Sequence, residues 1–301
     1  MSVHHGHAHD ESTTDRRLWA SVGLNVAITA GEVVAGLAAG SLALLADALH
    51  NLSDVAALLM AIGARILGRR PPSARHTFGL KRAEVLAAIV NAVVLLAVTG
   101  FIAREAVHRL MAPQPVRGGI MLGAALAAFA ANMFSVFLLR RHDHRDLNVR
   151  SAFLHLLQDA LASLAVVAAA LLAGTKAGPY MDPVASLAVG LVVVHSALSI
   201  VWESLSIVFE AVPRGIDLEQ LVDGVDARFA PARLHHVHVW EVGPGQRMLT
   251  AHVSVPTADL GEAERLFAGI REHLREAWSI EHVTLEPERN GCSDGDPCGV
   301  P

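Results

Sequence analysis

Six apolar stretches fill most of the chain between residues 17 and 208, at about 17–38, 42–67, 83–108, 119–140, 150–173 and 184–208. Each is near the roughly 20 residues that a bilayer span needs. In hydrocarbon every backbone N–H and C=O must be bonded within the protein, which restricts such stretches to helices. The bulk numbers agree: 52% of the 301 residues are hydrophobic and 18% are charged, where a soluble domain carries about 25% charged residues. The fourth stretch, from Ile120 to Leu139, is the cleanest, with Asn132 as its most polar residue. The first carries Asn25 and Glu32, which directs it toward other helices rather than lipid.

Two of these stretches contain the same short pattern, His-x-x-x-Asp: His50 with Asp54, and His155 with Asp159. Ionisable residues at membrane depth are costly and mark an ion or proton path. A separation of four residues turns a helix by about 400° and rises about 6 Å, so each pair lies on one helix face. If the two helices face each other, they offer two imidazoles and two carboxylates. That is a tetrahedral nitrogen and oxygen set for zinc or a similar divalent ion, with two carboxylates to balance the 2+ charge. The alternative is two unrelated polar pairs that hold helices together.

The connections set an orientation. Arg16 and Arg17, six basic residues between the second and third spans, and Arg140, Arg141, Arg145 and Arg150 fall on one side. The other side has only Arg104, Arg109, Arg117 and Lys176. The positive-inside rule places both termini in the cytoplasm of a multi-pass inner-membrane protein. Residues 1–16 read as a polar, His-rich cytosolic tail, 17–210 as the six-helix domain, 211–290 as a cytosolic domain and 291–301 as an unstructured tail with both cysteines. Two cysteines so close to the end do not support a disulfide scaffold. The N-terminus does not read as a secretory signal, and a net charge of −5 argues against a nucleic-acid partner. After Pro213 the pattern becomes helix, strand, strand, helix, strand, with a turn at Gly243, Pro244 and Gly245. That order predicts a small α+β domain with helices on one face of a sheet.

The segments SLALLADALHNLSDVAALL, RHTFGLKRAEVLAAIVNAVVLL, NVRSAFLHLLQDALASLAVVAAALL, MDPVASLAVGL, FEAVP and HHVHVWEV followed by LTAHVSV together resemble the cation diffusion facilitator transporters. The likeness covers most of residues 17–288. It implies six transmembrane helices, a ferredoxin-like cytosolic domain, a homodimer in the bilayer, and exchange of cytosolic metal for protons. By motif match it makes His50, Asp54, His155 and Asp159 the transport ligands. A His at position 50 is usual in the zinc-preferring branch and does not exclude cobalt or cadmium. The resemblance also implies zinc at a regulatory cytosolic site, at His235 and His252 with Glu286 in the third strand. Glu288 lies two residues on, on the same strand face. His236 stands where the family has an Asp, and His238 and His282 are further candidates.

Other residues carry weaker readings. Asp47 shares a face with His50 and Asp54, one turn toward the periplasm. It either attracts cations at the exit or makes a helix-end hydrogen bond. Asn51 and Gln158 are either donors behind the ligands or packing residues. Too few ligands surround His76 for a metal in its loop. His4, His5, His7 and His9 either capture metal loosely or are an incidental polar tail. Cys292 and Cys298 pose the same choice, and His142, Asp143 and His144 either act similarly or anchor their basic cytosolic loop at the headgroups.

The expected function is therefore a proton-coupled antiporter exporting Zn2+, with Co2+ and Cd2+ as related cargo. An intramembrane metalloenzyme would need an open site and a base such as HExxH supplies, and the sequence has no such motif. A metal-sensing membrane protein without transport is the second alternative, but sensing does not require ligands deep in two spans.

Overall fold

The computed structural model describes residues 23, 26–68, 73–139, 147–255 and 259–289. The chain divides into two compact units. One holds the residues to Leu59 with Val90–Ser199, and the other holds Met60–Ile89 with the residues from Ile200 onward.

The first unit is helical. Its elements are α1 (Val26–Ala39) and parts of α2 (Leu42–Gly68), α3 (Arg82–Met111) and α6 (Gly178–Val208), with all of α4 (Gly118–Leu139) and α5 (Leu147–Leu172). Among the described residues, Arg82–Met111, Gly118–Phe137 and Gly178–Val208 are long and apolar enough to cross a membrane. Val26–Ala39 and Leu156–Leu172 are apolar but shorter. The helix that carries His50 and Asp54 also holds Asp47, and these ionisable residues lower its hydropathy.

Polar contacts set how these helices meet. Asp182 of α6 is 2% exposed and caps the start of α2 from 140 residues away in the sequence. Its carboxylate accepts from Ser41 Oγ at 2.5 Å, from the Leu42 N–H at 2.9 Å and from the Ala43 N–H at 3.2 Å. The first N–H groups of any helix lack intrahelical partners, and an anion there also meets the helix dipole favourably. Replacing Asp182 with Ala strands three buried donors. At about 1–3 kcal/mol for a buried group left unpaired, the variant should lose about 3 kcal/mol and unfold at a clearly lower temperature in detergent. An unchanged midpoint would show that this cap contributes nothing.

Among the described glycines, close approach is tightest at Gly178. A Cβ on Gly178 would stand 2.1 Å from the Ala173 carbonyl oxygen, so a glycine lets α6 begin this near the end of α5. The helix starts six residues before the expected 184. Pro183 lies inside it, and a proline lacks the N–H that a helix interior uses, which makes 178–183 read as a loop.

The second unit contains α7 (Leu218–Phe229), β1 (Arg233–Glu241), β2 (Arg247–Ser254), α8 (Leu260–Trp278) and β3 (Ile280–Glu288). The order is the one the sequence predicts. The sheet runs β1-β2-β3, with β1 antiparallel and β3 parallel to the central β2. Leu221 and Val225 of α7 and Phe267, Ile270 and Leu274 of α8 join Leu234, Val239, Leu249, Val253 and Leu285 in one apolar core. Spacings of three and four along each helix produce that stripe. Asp217 and Asp259 cap the two helices: Asp217 accepts from Gln220 N–H, and Asp259 accepts from Gly261 and Glu262 N–H. Gly245 adopts φ +70°, the left-handed conformation that the turn between β1 and β2 needs.

β1 is not regular. The register slips between His235 and His238, and His236 sits at φ +50°. This bulge places one extra residue opposite β2 and breaks the alternation of side chains.

Candidate metal centre

On α2, a spacing of four puts His50 and Asp54 on one face, and α5 brings Asp159 against it. His50 Nε2 lies 3.3 Å from Asp159 Oδ1, and His50 Nδ1 lies 4.0 Å from Asp54 Oδ2. His50 and Asp159 are each 5% exposed. One ligand atom from each of the three residues falls within 4.8 Å of the others. The 3.3 Å separation matches the edge of a tetrahedron with bonds of about 2.0 Å, the geometry of zinc with nitrogen and oxygen ligands. His155 lies on α5 one turn before Asp159, but its side chain is outside the described residues. The structure thus assembles three of the four expected ligands and places the helix of the fourth.

A second polar rung lies beside the first. Ser163 Oγ of α5 donates to Asp47 Oδ2 at 3.1 Å. Residue numbers rise from Asp47 to His50 on α2 while their partners fall from Ser163 to Asp159 on α5, so the two helices run antiparallel here. Of the two readings of Asp47, this geometry favours a hydrogen bond, made to the neighbouring helix rather than at a helix end. Asn51 Nδ2 donates to Glu32 Oε2 of α1 at 2.8 Å, which ties α1 to α2. Gln158 is exposed, turned to a different side of α5 from Asp159. Asn91 Nδ2 of α3 donates to Ser53 Oγ at 3.0 Å. Polar side chains of this kind bind helices to one another where apolar contact has no preference over lipid.

The cytosolic sheet gathers another group. The pairing sets His235 opposite His252, and His252 opposite Glu286. The carboxylate that reaches both rings is Glu288: Glu288 Oε2 is 2.8 Å from His235 Nε2, and Glu288 Oε1 is 2.7 Å from His252 Nδ1. Glu286 stands farther off, 3.7 Å from His252 Nε2, with its side chain 70% exposed. His235, His252 and Glu288 offer three ligand atoms within 4.8 Å of one another. The hydrogen bond from His235 holds the Glu288 carboxyl below its usual range, helped by the neighbouring charge of His252. Glu288 is therefore ionised and able to bind metal at neutral pH.

His236 is not in this three-residue group. Its ring stacks on that of His252 with centroids 4.9 Å apart, and His238 meets His236 edge-on at 4.9 Å. The bulge explains this, because it moves His236 out of the alternation that aligns His235 with β2. His282 packs edge-on against Phe78 at 6.0 Å. His76 is exposed, and its backbone pairs with that of Ser73. His4, His5, His7, His9, His142, Asp143, His144, Cys292 and Cys298 lie outside the described residues.

The sequence matches two family profiles: residues 18–209 match the cation efflux transmembrane domain, and residues 213–290 match the cation efflux protein cytoplasmic domain. The chain belongs to the cation efflux, or cation diffusion facilitator, family. It is 40% identical over 297 residues to the zinc transporter ZitB of Pectobacterium atrosepticum, covering 98% of this chain and 91% of that one. It is 32% identical over 292 residues to the metal cation efflux system protein CzcD of Cupriavidus metallidurans, covering 97% and 92%. It is 30% identical over 286 residues to a cadmium, cobalt and zinc/H(+)-K(+) antiporter of Bacillus subtilis, covering 94% and 92%. As a cation efflux protein, the chain has a helical transmembrane domain followed by a cytoplasmic domain. The His50 cluster belongs to the first, and the His235 cluster to the second.

Proposed function

We propose that this protein exports Zn2+ from the cytoplasm in exchange for protons, with Co2+ and Cd2+ as further cargo. The observation that carries this reading is the cluster of buried His50 and Asp159 with half-buried Asp54 on two antiparallel helices. His155 completes the set as the fourth ligand. One or two imidazoles with two carboxylates suit a borderline ion such as zinc better than a hard ion such as Mg2+. The names of the relatives, zinc transporter and cadmium, cobalt and zinc antiporter, point the same way.

Proton exchange follows from ligand chemistry. Metal binding requires neutral imidazole and ionised carboxylate, so loading the ion expels protons and reloading protons expels the ion. In this reading the transport domain spans residues 17–210 with six helices, both termini face the cytoplasm of an inner membrane, and residues 211–290 mediate homodimerisation. The alternative is a metal-sensing membrane protein without transport. Zinc accumulation in sealed proteoliposomes decides between them. The transporter reading expects saturable uptake with time, and a sensor binds zinc without moving it into the lumen.

The cytosolic group is read as a regulatory zinc site. Glu288→Gln should remove about one zinc from the binding stoichiometry of the full-length protein, measured by titration calorimetry, whereas Glu286→Gln should leave it unchanged. Equal effects of the two substitutions would show that Glu286 moves in to become a ligand when metal binds.

A further inference from the structure

Glu32 lies within α1 and is 2% exposed. One of its carboxyl oxygens, Oε2, accepts from Asn51 Nδ2 at 2.8 Å. The other, Oε1, is buried and receives no N–H or O–H from the described residues. The side chain that meets this carboxyl is another acid, Asp47 of α2, itself 1% exposed. Asp47 Oδ2 accepts from Ser163 Oγ. Asn51 and Ser163 are neutral and cancel no charge. Two ionised carboxylates only accept hydrogen bonds, and side by side away from water they repel. A single proton between them turns one into a donor, supplies what the Glu32 carboxyl lacks, and leaves one charge on the pair.

The pair stands beside the His50 cluster without belonging to it. Asp47 is three residues before His50 on α2, and its partner Ser163 is four residues after Asp159 on α5, about 5 Å along each axis. His50 of α2 and Asp159 of α5 are the titratable groups whose charges act on the pair from those helices, with Asp54 a further turn along α2. Asp182 of α6 is taken up by the start of α2. An empty cluster presents the negative charges of Asp54 and Asp159 on this side. A bound 2+ ion cancels both, and the neighbouring pair is then able to bear a second negative charge.

We propose that Glu32 and Asp47 share one proton, and that zinc arriving at the His50 cluster releases it to solvent. The O–H bond breaks, its electron pair stays on the carboxylate, and the proton adds to those displaced from the ligands themselves. Such a proton store rests on the zinc-for-proton reading above and deepens it, because a side chain that does not ligate the metal then carries part of the exchanged charge. Asn51 holds Glu32 in place on one side and Ser163 holds Asp47 on the other, so the pair keeps its geometry as the proton comes and goes.

The test counts the protons released per zinc bound by the full-length protein in detergent, in lightly buffered solution with a pH-sensitive dye. In Glu32→Gln the amide accepts from Asn51 and donates to Asp47 as the protonated acid does, so the helices stay joined. This variant should bind as many zinc ions as wild type and release about one proton fewer as the cluster fills. The cytosolic group contributes equally to both proteins and drops out of the difference. An unchanged count shows that Glu32 only ties α1 to α2 and overturns the proposal. Loss of zinc from folded variant protein overturns it in favour of Glu32 as a ligand. A wild-type count that changes when potassium replaces choline in the buffer overturns it in favour of an alkali ion on the pair. Wild type also supplies a check that needs no variant: zinc addition should bleach the infrared C=O band of a protonated carboxyl group, and a difference spectrum without that loss overturns the proposal even where Glu32→Gln fails to fold. The antiport reading fails by a separate result, zinc uptake into vesicles that ignores the pH gradient, which the proton count in detergent does not measure.

Discussion

Asp159→Ala protein should insert into the membrane in normal amounts and carry no zinc above background. On the proposed reading the substitution removes a carboxylate ligand from a site where its neighbour, His50, is almost fully buried and water is poorly placed to replace it. Loss of a group that merely supports a ligand commonly weakens a metal site 10–100-fold. Loss of a ligand itself should exceed about 100-fold and place the affinity beyond working zinc concentrations. Asp54→Ala should act in the same direction, since in the proposed site the 2+ ion would lose one of its two balancing carboxylates. Radiolabelled zinc uptake into proteoliposomes, normalised to the inserted protein, measures the effect. Near-normal uptake by well-folded Asp159→Ala protein would remove the intramembrane cluster as the transport site.

The second large effect is on pH. Apparent zinc affinity should weaken as pH falls from about 7.5 to about 6, because an ordinary imidazole with a pKa of about 6.5 becomes charged across that interval. Protonation competes with metal, so the sign is fixed: acid favours release. The protonation equilibria of two such imidazoles together lower the apparent affinity about tenfold over this range. In vesicles whose lumen represents the periplasm, an acid interior should accelerate zinc uptake, and collapsing the gradient should slow it. Each zinc entering should be matched by protons leaving, seen with a lumenal pH dye. Zinc flux indifferent to both pH and gradient would describe a uniporter that uses the same ligands.

Much of this was legible from local pattern. A period near 3.6 over long apolar runs marks helices, and a period of two bounded by glycine and proline marks the strands. The repeated His-x-x-x-Asp needs nothing beyond helix geometry to place both residues of a pair on one face. The helix, strand, strand, helix, strand order after Pro213 followed from the same periodicities.

What periodicity cannot supply is which faces meet. Tertiary packing alone brought Asp182 to the start of α2 across 140 residues, gave Asp47 to Ser163, and gave Asn51 to Glu32. Asp47 and Asn51 each had a metal-side reading when seen only along the chain. The cytosolic group shows the point most clearly. Glu286 and Glu288 lie on one strand face by sequence, and the pairing sets Glu286 opposite His252. Yet Glu288 is the carboxylate that reaches both rings, and the bulge in β1 turns His236 aside to stack on His252. The amino-acid order by itself determined which residue types lie at membrane depth and on which helix face, because those depend on rise and twist alone. The choice among chemically equivalent neighbours fell to the tertiary structure, because it depends on offsets of a few ångströms between elements distant in the chain.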